Sequence, residues 1–443
     1  MRYDYVRELD EYPQGLRRLW LLAMAVLAIL IGSYEAQIAP VVPLLLKDLH
    51  MSLTTYGSVS AVAAGSGALA AAIGGRLTDH LGRVRLLVPL MMLTALLCLA
   101  MTQIHSARDL LFMRTILAFV DGVAIASTAP LVRDLSPRMG RAQAFGFWTW
   151  GPVGASLIAS AVASWTLPIF HDAWRSQFVI MAIASLVVSV LVATNIADLS
   201  PELRARIRQT ERRVVRVEDA HQKALVRDLL RHRRLWAHAT GISLWLVLYV
   251  TLAVYGQTML VSTFGITAAK ASGIMTAFWL LDLAVLIVVG RVSDRLQLRK
   301  PFMLGGTLAA VLVAGYLALL MGRDQVSAGL LMLTGTLLGA SLAVAYSPWM
   351  AGYSEDAEDA DPRLQGTAWG VYGFLSRSVA VLVLLAVPRV VAAHGWQTWL
   401  TICVACLFLF IPTVFLFGGS WRPEVRQRMA VTMVPEPTSV EAV

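Results

Sequence analysis

The sequence predicts an all-α membrane protein, with twelve transmembrane helices in two six-helix bundles around a central cavity. Three observations predict it. The composition is 57% hydrophobic and only 15% charged, with a mean hydropathy of +0.66, whereas soluble domains carry about 25% charge. Apolar runs recur along the whole chain, each near the roughly 20 residues a helix needs to cross hydrocarbon. A charged phrase is also written twice, as Gly75-Arg76-Leu77-Thr78-Asp79-His80-Leu81-Gly82-Arg83 and, 215 residues later, as Gly290-Arg291-Val292-Ser293-Asp294-Arg295. A repeat at about half the chain length, in a chain this apolar, marks a duplicated helical bundle.

The runs, in order, are 19–43, 54–74, 85–103, 110–131, 142–165, 176–196, 236–261, 271–290, 302–321, 327–349, 367–388 and 397–418. Span one carries Ser33-Tyr34-Glu35-Ala36-Gln37 in its outer half, and span two ends in the first charged phrase. Span three follows at once. Span four holds Arg114 and Asp121, and span five holds Gly151-Pro152-Val153-Gly154-Ala155, where the Gly-Pro pair makes a kink and a close contact. Span six begins after Trp174-Arg175.

Residues 197–235 are the one long linker. It opens on Asp198-Leu199-Ser200-Pro201-Glu202, a helix-start pattern of capping residue, proline and acid. Arginines and acids then mix with scattered apolar residues, as in helices lying on a membrane face or in a solvated tether. Span seven brings Trp245, Tyr249, Tyr255 and Gln257, and span eight brings Asp282 and the second charged phrase. Spans nine and ten follow, the latter closing on Tyr346-Ser347-Pro348-Trp349. An acidic loop of Glu355, Asp356, Glu358, Asp359 and Asp361 leads to span eleven, with Trp369, Tyr372 and Arg377. That loop is expected either to pair with arginines of the repeated phrases or the linker, or to stay solvated. In span twelve Cys403 and Cys406 lie on one face with no His or acid beside them, which reads as packing rather than metal binding. The domains are therefore 1–196, the N-terminal bundle; 197–235, the linker; 236–418, the C-terminal bundle; and 419–443, a tail.

Orientation follows from Lys and Arg. With the N-terminus in the cytoplasm, 29 of the 37 basic residues fall on that side. The opposite side holds Lys47, Arg108, Arg175, Lys270, Arg323 and Arg389. This bias predicts a multi-pass plasma-membrane protein with both termini cytoplasmic. The net charge of +9 is accounted for by that topology and by anionic lipid, and gives no reason to invoke nucleic acid. Trp20, Trp236 and Trp421 read as interface anchors. No cleavable signal peptide is evident, because the first run is long and lacks a small-residue cleavage site.

The first charged phrase resembles the signature loop between helices two and three of the major facilitator superfamily of secondary transporters, with Arg85 in its basic tail. Gly290 to Lys300 resembles the degenerate partner loop between helices eight and nine. Arg114, Gly122 and Pro130, at eight-residue spacing, are similar to the family's helix-four motif, with Ala118 where a glycine is common. Trp174-Arg175 with Phe178 resembles the usual start of helix six. The Gly151 to Ala155 stretch is similar to the glycine–proline motif of proton-coupled drug exporters, without its double glycine. The resemblance covers essentially the whole chain. It implies that Gly75, Asp79, Gly82 and Arg83, with Gly290, Asp294 and Arg295, form conformational latches at the inner gate. Asp79 is expected near a helix N-terminus, where a carboxylate is favourable. The resemblance also implies that helices 1, 4, 7 and 10 line the cavity and that 2, 5, 8 and 11 flank it.

A charge kept at mid-bilayer costs roughly 2.5–3.5 kcal/mol on insertion scales and calls for a partner or a task. Five qualify: Glu35, Arg114, Asp121, Asp282 and Arg377. Glu35 is the expected proton carrier, because desolvation favours a neutral carboxyl group; Asp121 is the competing site and Arg114 its relay partner or a structural anchor. Arg377 is expected to be buried and to meet an anionic substrate, with Asp282 holding it ready, unless the two form a permanent ion pair. Gln37, Tyr249, Gln257, Tyr346 and Tyr372 complete the expected substrate site, since aromatics with polar tips line solute cavities. Together these predict a proton-coupled transporter of a small organic solute, an organic anion favoured, working by alternating access as a monomer. The alternative is a proton-driven efflux antiporter for amphipathic drugs. No metal-ligand cluster, nucleotide loop or nucleophile motif points to an enzyme, a cofactor or a metal.

Overall fold

The computed structural model describes residues 7–135, 141–204, 206–207, 232–323, 325–360 and 365–422. Most of the linker, the tail beyond residue 422, Asp361, and the side-chain positions of Gly75, Arg76 and Asp79 lie outside the described residues. The membrane helices are α1 Gly15–Glu35, α2 Leu53–Leu81, α3 Arg83–Ala100, α4 Ala107–Asp134, α5 Arg141–Ile169, α6 Arg175–Asn195, α7 Arg233–Phe264, α8 Ala268–Leu296, α9 Lys300–Leu320 and α10 Ala328–Ala360. The stretch Gln365–Val414 is two helices, α11 (365–394) and α12 (396–414), because Gly395 adopts φ 78° and breaks the ladder. Each expected span has its helix, in order.

Helix α2 is rich in glycine, alanine and serine, and that composition has a packing reason. Its small residues let α4 approach until backbones touch. A Cβ on Gly122 would lie 2.5 Å from the Gly67 carbonyl oxygen, and one on Gly74 would lie 2.9 Å from Val123 Cα. The second half repeats the device in the equivalent pair. Gly339 of α10 sits against the Phe278 carbonyl of α8, and Gly335 sits against Ile274. Close backbone approach through small residues is how helices associate where lipid supplies no hydrophobic drive.

Two ends of the molecule differ. The end that carries Arg83, Arg299 and the start of the linker is the arginine-rich face, and the other is the far face. Among the described residues, the side-chain hydrogen bonds and close glycine contacts between the halves lie toward the far face. Gly57 of α2 abuts the Leu384 carbonyl and Pro388 of α11, and Tyr56 meets Tyr255 edge-on at 6.0 Å. Gln257 of α7 donates to Ser160 of α5 at 3.2 Å, and Gly273 of α8 faces Ser164. Among the described residues, the halves therefore close at the far face and leave the cleft between them without such contacts toward the arginine-rich face.

The helix-start pattern of the linker holds, and one local expectation, that for Asp79, needs correction. The linker helix is capped by Ser200, whose Oγ accepts the Leu203 amide at 3.3 Å. Asp198 is engaged elsewhere: its strand Asp198–Leu199 pairs in parallel with Glu8–Leu9, and its side chain, 2% exposed, accepts the Arg83 amide at 3.0 Å. Asp79 falls in the last turn of α2, before Gly82 turns the chain at φ 94°, rather than at a helix N-terminus. The N-terminus of α3 is capped by Asp198, where the helix dipole favours a carboxylate.

Candidate functional site

The two charged phrases build different structures at the arginine-rich face. In the first, Thr78 is buried and shares a hydrogen bond with Ser127 of α4 at 2.9 Å. Arg83, 1% exposed, lies 3.1 Å from Asp134 at the end of α4. In the second, Ser293 accepts from Arg299 at 2.7 Å, and Arg299 also grips Glu355 at 2.7 Å and Asp294 at 2.6 Å. Burial works against the Arg299 charge, but Glu355 and Asp294 more than offset it and hold its pKa above the ordinary arginine value. Arg295, expected in this latch, is exposed, and Arg299 takes its place. Gly290 sits close to Ser347 of α10.

The acidic loop is absorbed within the same half. Glu355 pairs with Arg299, while Asp356 binds His238 of α7 at 2.8 Å and the Gly418 amide at 2.7 Å. Phe417 stacks on His238 at 3.8 Å. Glu358 and Asp359 are exposed.

Inside the first half stand two carboxylates. Glu35 ends α1, 3% exposed, among Thr94 of α3 and Ser185 of α6. It thus points into its own bundle rather than into the cleft. Asp121 lies against Gly32 of α1, where a Cβ would come 2.9 Å from its Oδ1. Oε1 of Glu35 and Oδ1 of Asp121 are buried with no hydrogen-bond partner among the described residues, as is Nε of Arg114. Arg114 and Asp121 are seven residues apart and share a helix face, yet they form no ion pair among the described residues. Gln37 lines a small cavity between Tyr34, Gln177 and Phe178. Gln257 serves the contact between the halves.

The second half holds a polar cluster walled by aromatic rings. Tyr249 of α7 donates to Oδ2 of Asp282 at 3.3 Å, and the hydroxyls of Tyr346 and Tyr372 meet at 2.6 Å. Trp245 stacks on Tyr249 at 5.2 Å and on Tyr346 at 5.1 Å, and Tyr346 on Trp349 at 5.9 Å. Four helices, α7, α8, α10 and α11, contribute. The expected Asp282–Arg377 pairing is absent. Arg377 is exposed and donates to the Gly373 carbonyl of its own helix at 3.1 Å. The reason is angular. Arg377 precedes Leu384 and Pro388 by seven and eleven residues, so it shares the face that α11 turns toward α2. Tyr372 occupies a different face, toward Tyr346. Arg377 therefore lies along the cleft, beyond the last contact between the halves, while Asp282 is enclosed in its bundle.

Several of these partners escaped the sequence reading. Arg299 was findable: in both copies of the phrase a basic residue stands at the start of the following span. Asp134, His238 and Asp198 carry no such mark, because their partners lie far away in the chain.

Two bundles packed through matching glycines and, among the described residues, joined toward one end, with arginine-carboxylate turns in corresponding places, define a secondary transporter. The chain belongs to the Major Facilitator Superfamily, whose sequence pattern matches residues 21–384. It is a multi-pass membrane protein that transports small solutes, and not an enzyme. It is 23% identical over 434 residues to a gallate transporter of Pseudomonas putida, covering 93% of this chain and 91% of that one. Its fold is similar to that of a bacterial homolog of the human lysosomal transporter Spinster, with a TM-score of 0.71 at 12% identity over 91% of this chain and 97% of that one. It is likewise similar to a D-xylose–proton symporter, with a TM-score of 0.69 at 16% identity over 90% and 97% of the two chains.

Proposed function

We propose that the protein is a proton-coupled transporter of a small organic anion, an aromatic carboxylate above all, working by alternating access. The observation that carries this is Arg377, a guanidinium along the cleft with no carboxylate partner among the described residues. A cation kept unpaired in such a place suits an anionic ligand, which it grips with two prongs. The likeness to a gallate transporter supports an aromatic acid. Glu35, buried, and Asp121, partly buried, have no cation partner among the described residues and suit proton carriage, the usual task of such intramembrane acids. The arginine-rich face is the cytoplasmic one by the positive-inside rule, so the cleft described above is the inward-facing one. The units of motion are the bundles 1–196 and 236–418, joined by the linker 197–235 and followed by the cytoplasmic tail 419–443, in a monomer at the plasma membrane.

The test is uptake of labelled benzoate into proteoliposomes under an imposed proton gradient. Accumulation driven by external acid is expected. Arg377→Ala should abolish it, and Arg377→Lys should retain weak uptake, since a point charge replaces a planar fork. Failure of any carboxylate to bind, with cationic amphiphiles binding instead, overturns the proposal.

A further inference from the structure

The Asp282 carboxylate is enclosed and half satisfied. It is 1% exposed, Tyr249 supplies one hydrogen bond to Oδ2, and Oδ1 is buried with no partner among the described residues. Asp282 lies seven residues after Met275, on the face of α8 that packs against Gly256 of α7. It therefore looks into the second bundle. Arg377, the one cation expected beside it, is on another face of α11. A buried acceptor without its donor is costly to keep, and the fold leaves Oδ1 in that condition.

The walls around it are chosen for a flat ring. Trp245, Tyr249 and Tyr346 present nearly parallel planes, with interplanar angles of 26° and 15° between the Trp245 ring and the two tyrosines. Tyr249, Tyr346 and Tyr372 are only partly buried, which leaves part of each ring open to a ligand. Their hydroxyls both donate and accept. A ligand carboxylate is unwelcome here, because among the described residues the cluster holds no cation to offset its desolvation. A ring hydroxyl is welcome, because it donates to the free oxygen while its ring stacks on the tyrosines.

We infer that Asp282 is a specificity residue that accepts a hydrogen bond from a ring hydroxyl of the substrate, so that the protein selects hydroxylated over unsubstituted aromatic acids. This rests on the organic-anion proposal and sharpens it. The same residue orients the ligand, with hydroxyls toward α8 and the carboxylate turned away toward the arginines. Discrimination of this kind is strong because a ligand without the donor leaves a buried acceptor unpaired.

The test is a pair of affinities on the full-length purified protein, for benzoate and for a dihydroxybenzoate, measured by calorimetric titration. The wild type is expected to prefer the hydroxylated acid by at least about tenfold, since the unsubstituted acid leaves the buried oxygen unpaired. Asp282→Leu should bring that ratio near one. Asp282→Asn keeps the shape and one acceptor oxygen, and should lower the ratio without erasing it. A purely structural role would weaken both acids equally and leave the ratio intact, which overturns the inference. Equal affinities in the wild type overturn it too, while leaving the organic-anion proposal standing. Binding of neither acid by the wild type would instead overturn that proposal, and this inference with it.

Discussion

In the proton-coupled reading proposed above, Glu35 and Asp121 are the residues on which coupling turns, and their surroundings suggest separate tasks. Glu35 is sealed among Thr94 and Ser185 inside the first bundle, whereas Asp121 borders α1 at Gly32 and is less enclosed. Glu35→Gln keeps the shape and removes the exchangeable proton. Proton-driven accumulation should then fall to equal concentrations on the two sides, while exchange of labelled for unlabelled solute survives. Persistence of accumulation in that variant, with its loss in Asp121→Asn, would move the proton to α4. Sequence alone singled out five charges within apolar runs, because a charge there is conspicuous. It misjudged Arg377 and Asp282 because depth in the membrane is legible from position along a span, whereas the direction of a side chain depends on how its helix is rotated. That rotation becomes evident only once Leu384 and Pro388 are seen against α2.

Among helices, the glycine contacts decide which pairs pack closely. At Gly122 the neighbours are the Gly67 backbone and Ala70, neither of which can swing aside. Gly122→Val should lower stability by about 1–3 kcal/mol, the usual cost of overpacking, read as a lower melting temperature in detergent. Gly305→Ala is the matched control. Nothing lies within 4 Å of the added carbon there, and a helical alanine should be neutral or stabilising by up to about 1 kcal/mol. The twelve spans were readable because hydrocarbon thickness sets a length that composition reveals. The glycines of α2 were visible too, but their partners on α4 were not. Nothing local marked the strand of Glu8–Leu9, a pairing of two residues on each side with the start of the linker.

For the whole molecule, the seal at the far face is narrow enough to be wedged. Gly57 abuts the Leu384 carbonyl with no room for a side chain. Gly57→Leu should oppose closure there by about 1–3 kcal/mol, which shifts a two-state population by about 5–150-fold. A cysteine placed at Ser160, within the seal, reports this. It should resist a membrane-impermeant maleimide added from the far side in the otherwise native protein and react readily in the Gly57→Leu background. Equal labelling in both would mean that the seal does not open as a unit. The duplication was plain in the sequence, down to the spacing of the charged phrases. Which end of the molecule is shut was not, since a repeat describes both conformations equally well.

The pairing of Glu8–Leu9 with Asp198–Leu199 bears on how the first bundle is held together. The chain leaves the sixth helix and at once returns to the stretch that precedes the first, so the bundle's beginning and end are fastened to each other. Asp198 fastens both to the amide of Arg83. The first six helices thus form a closed loop of chain with its own clasp, and the linker departs from a fixed post. Force arriving through that linker is delivered at the turn between α2 and α3, where Arg83 is anchored to Asp134. A pull on the tether is therefore felt first at the arginine-rich end of α3 and α4, without prying the bundle's two ends apart.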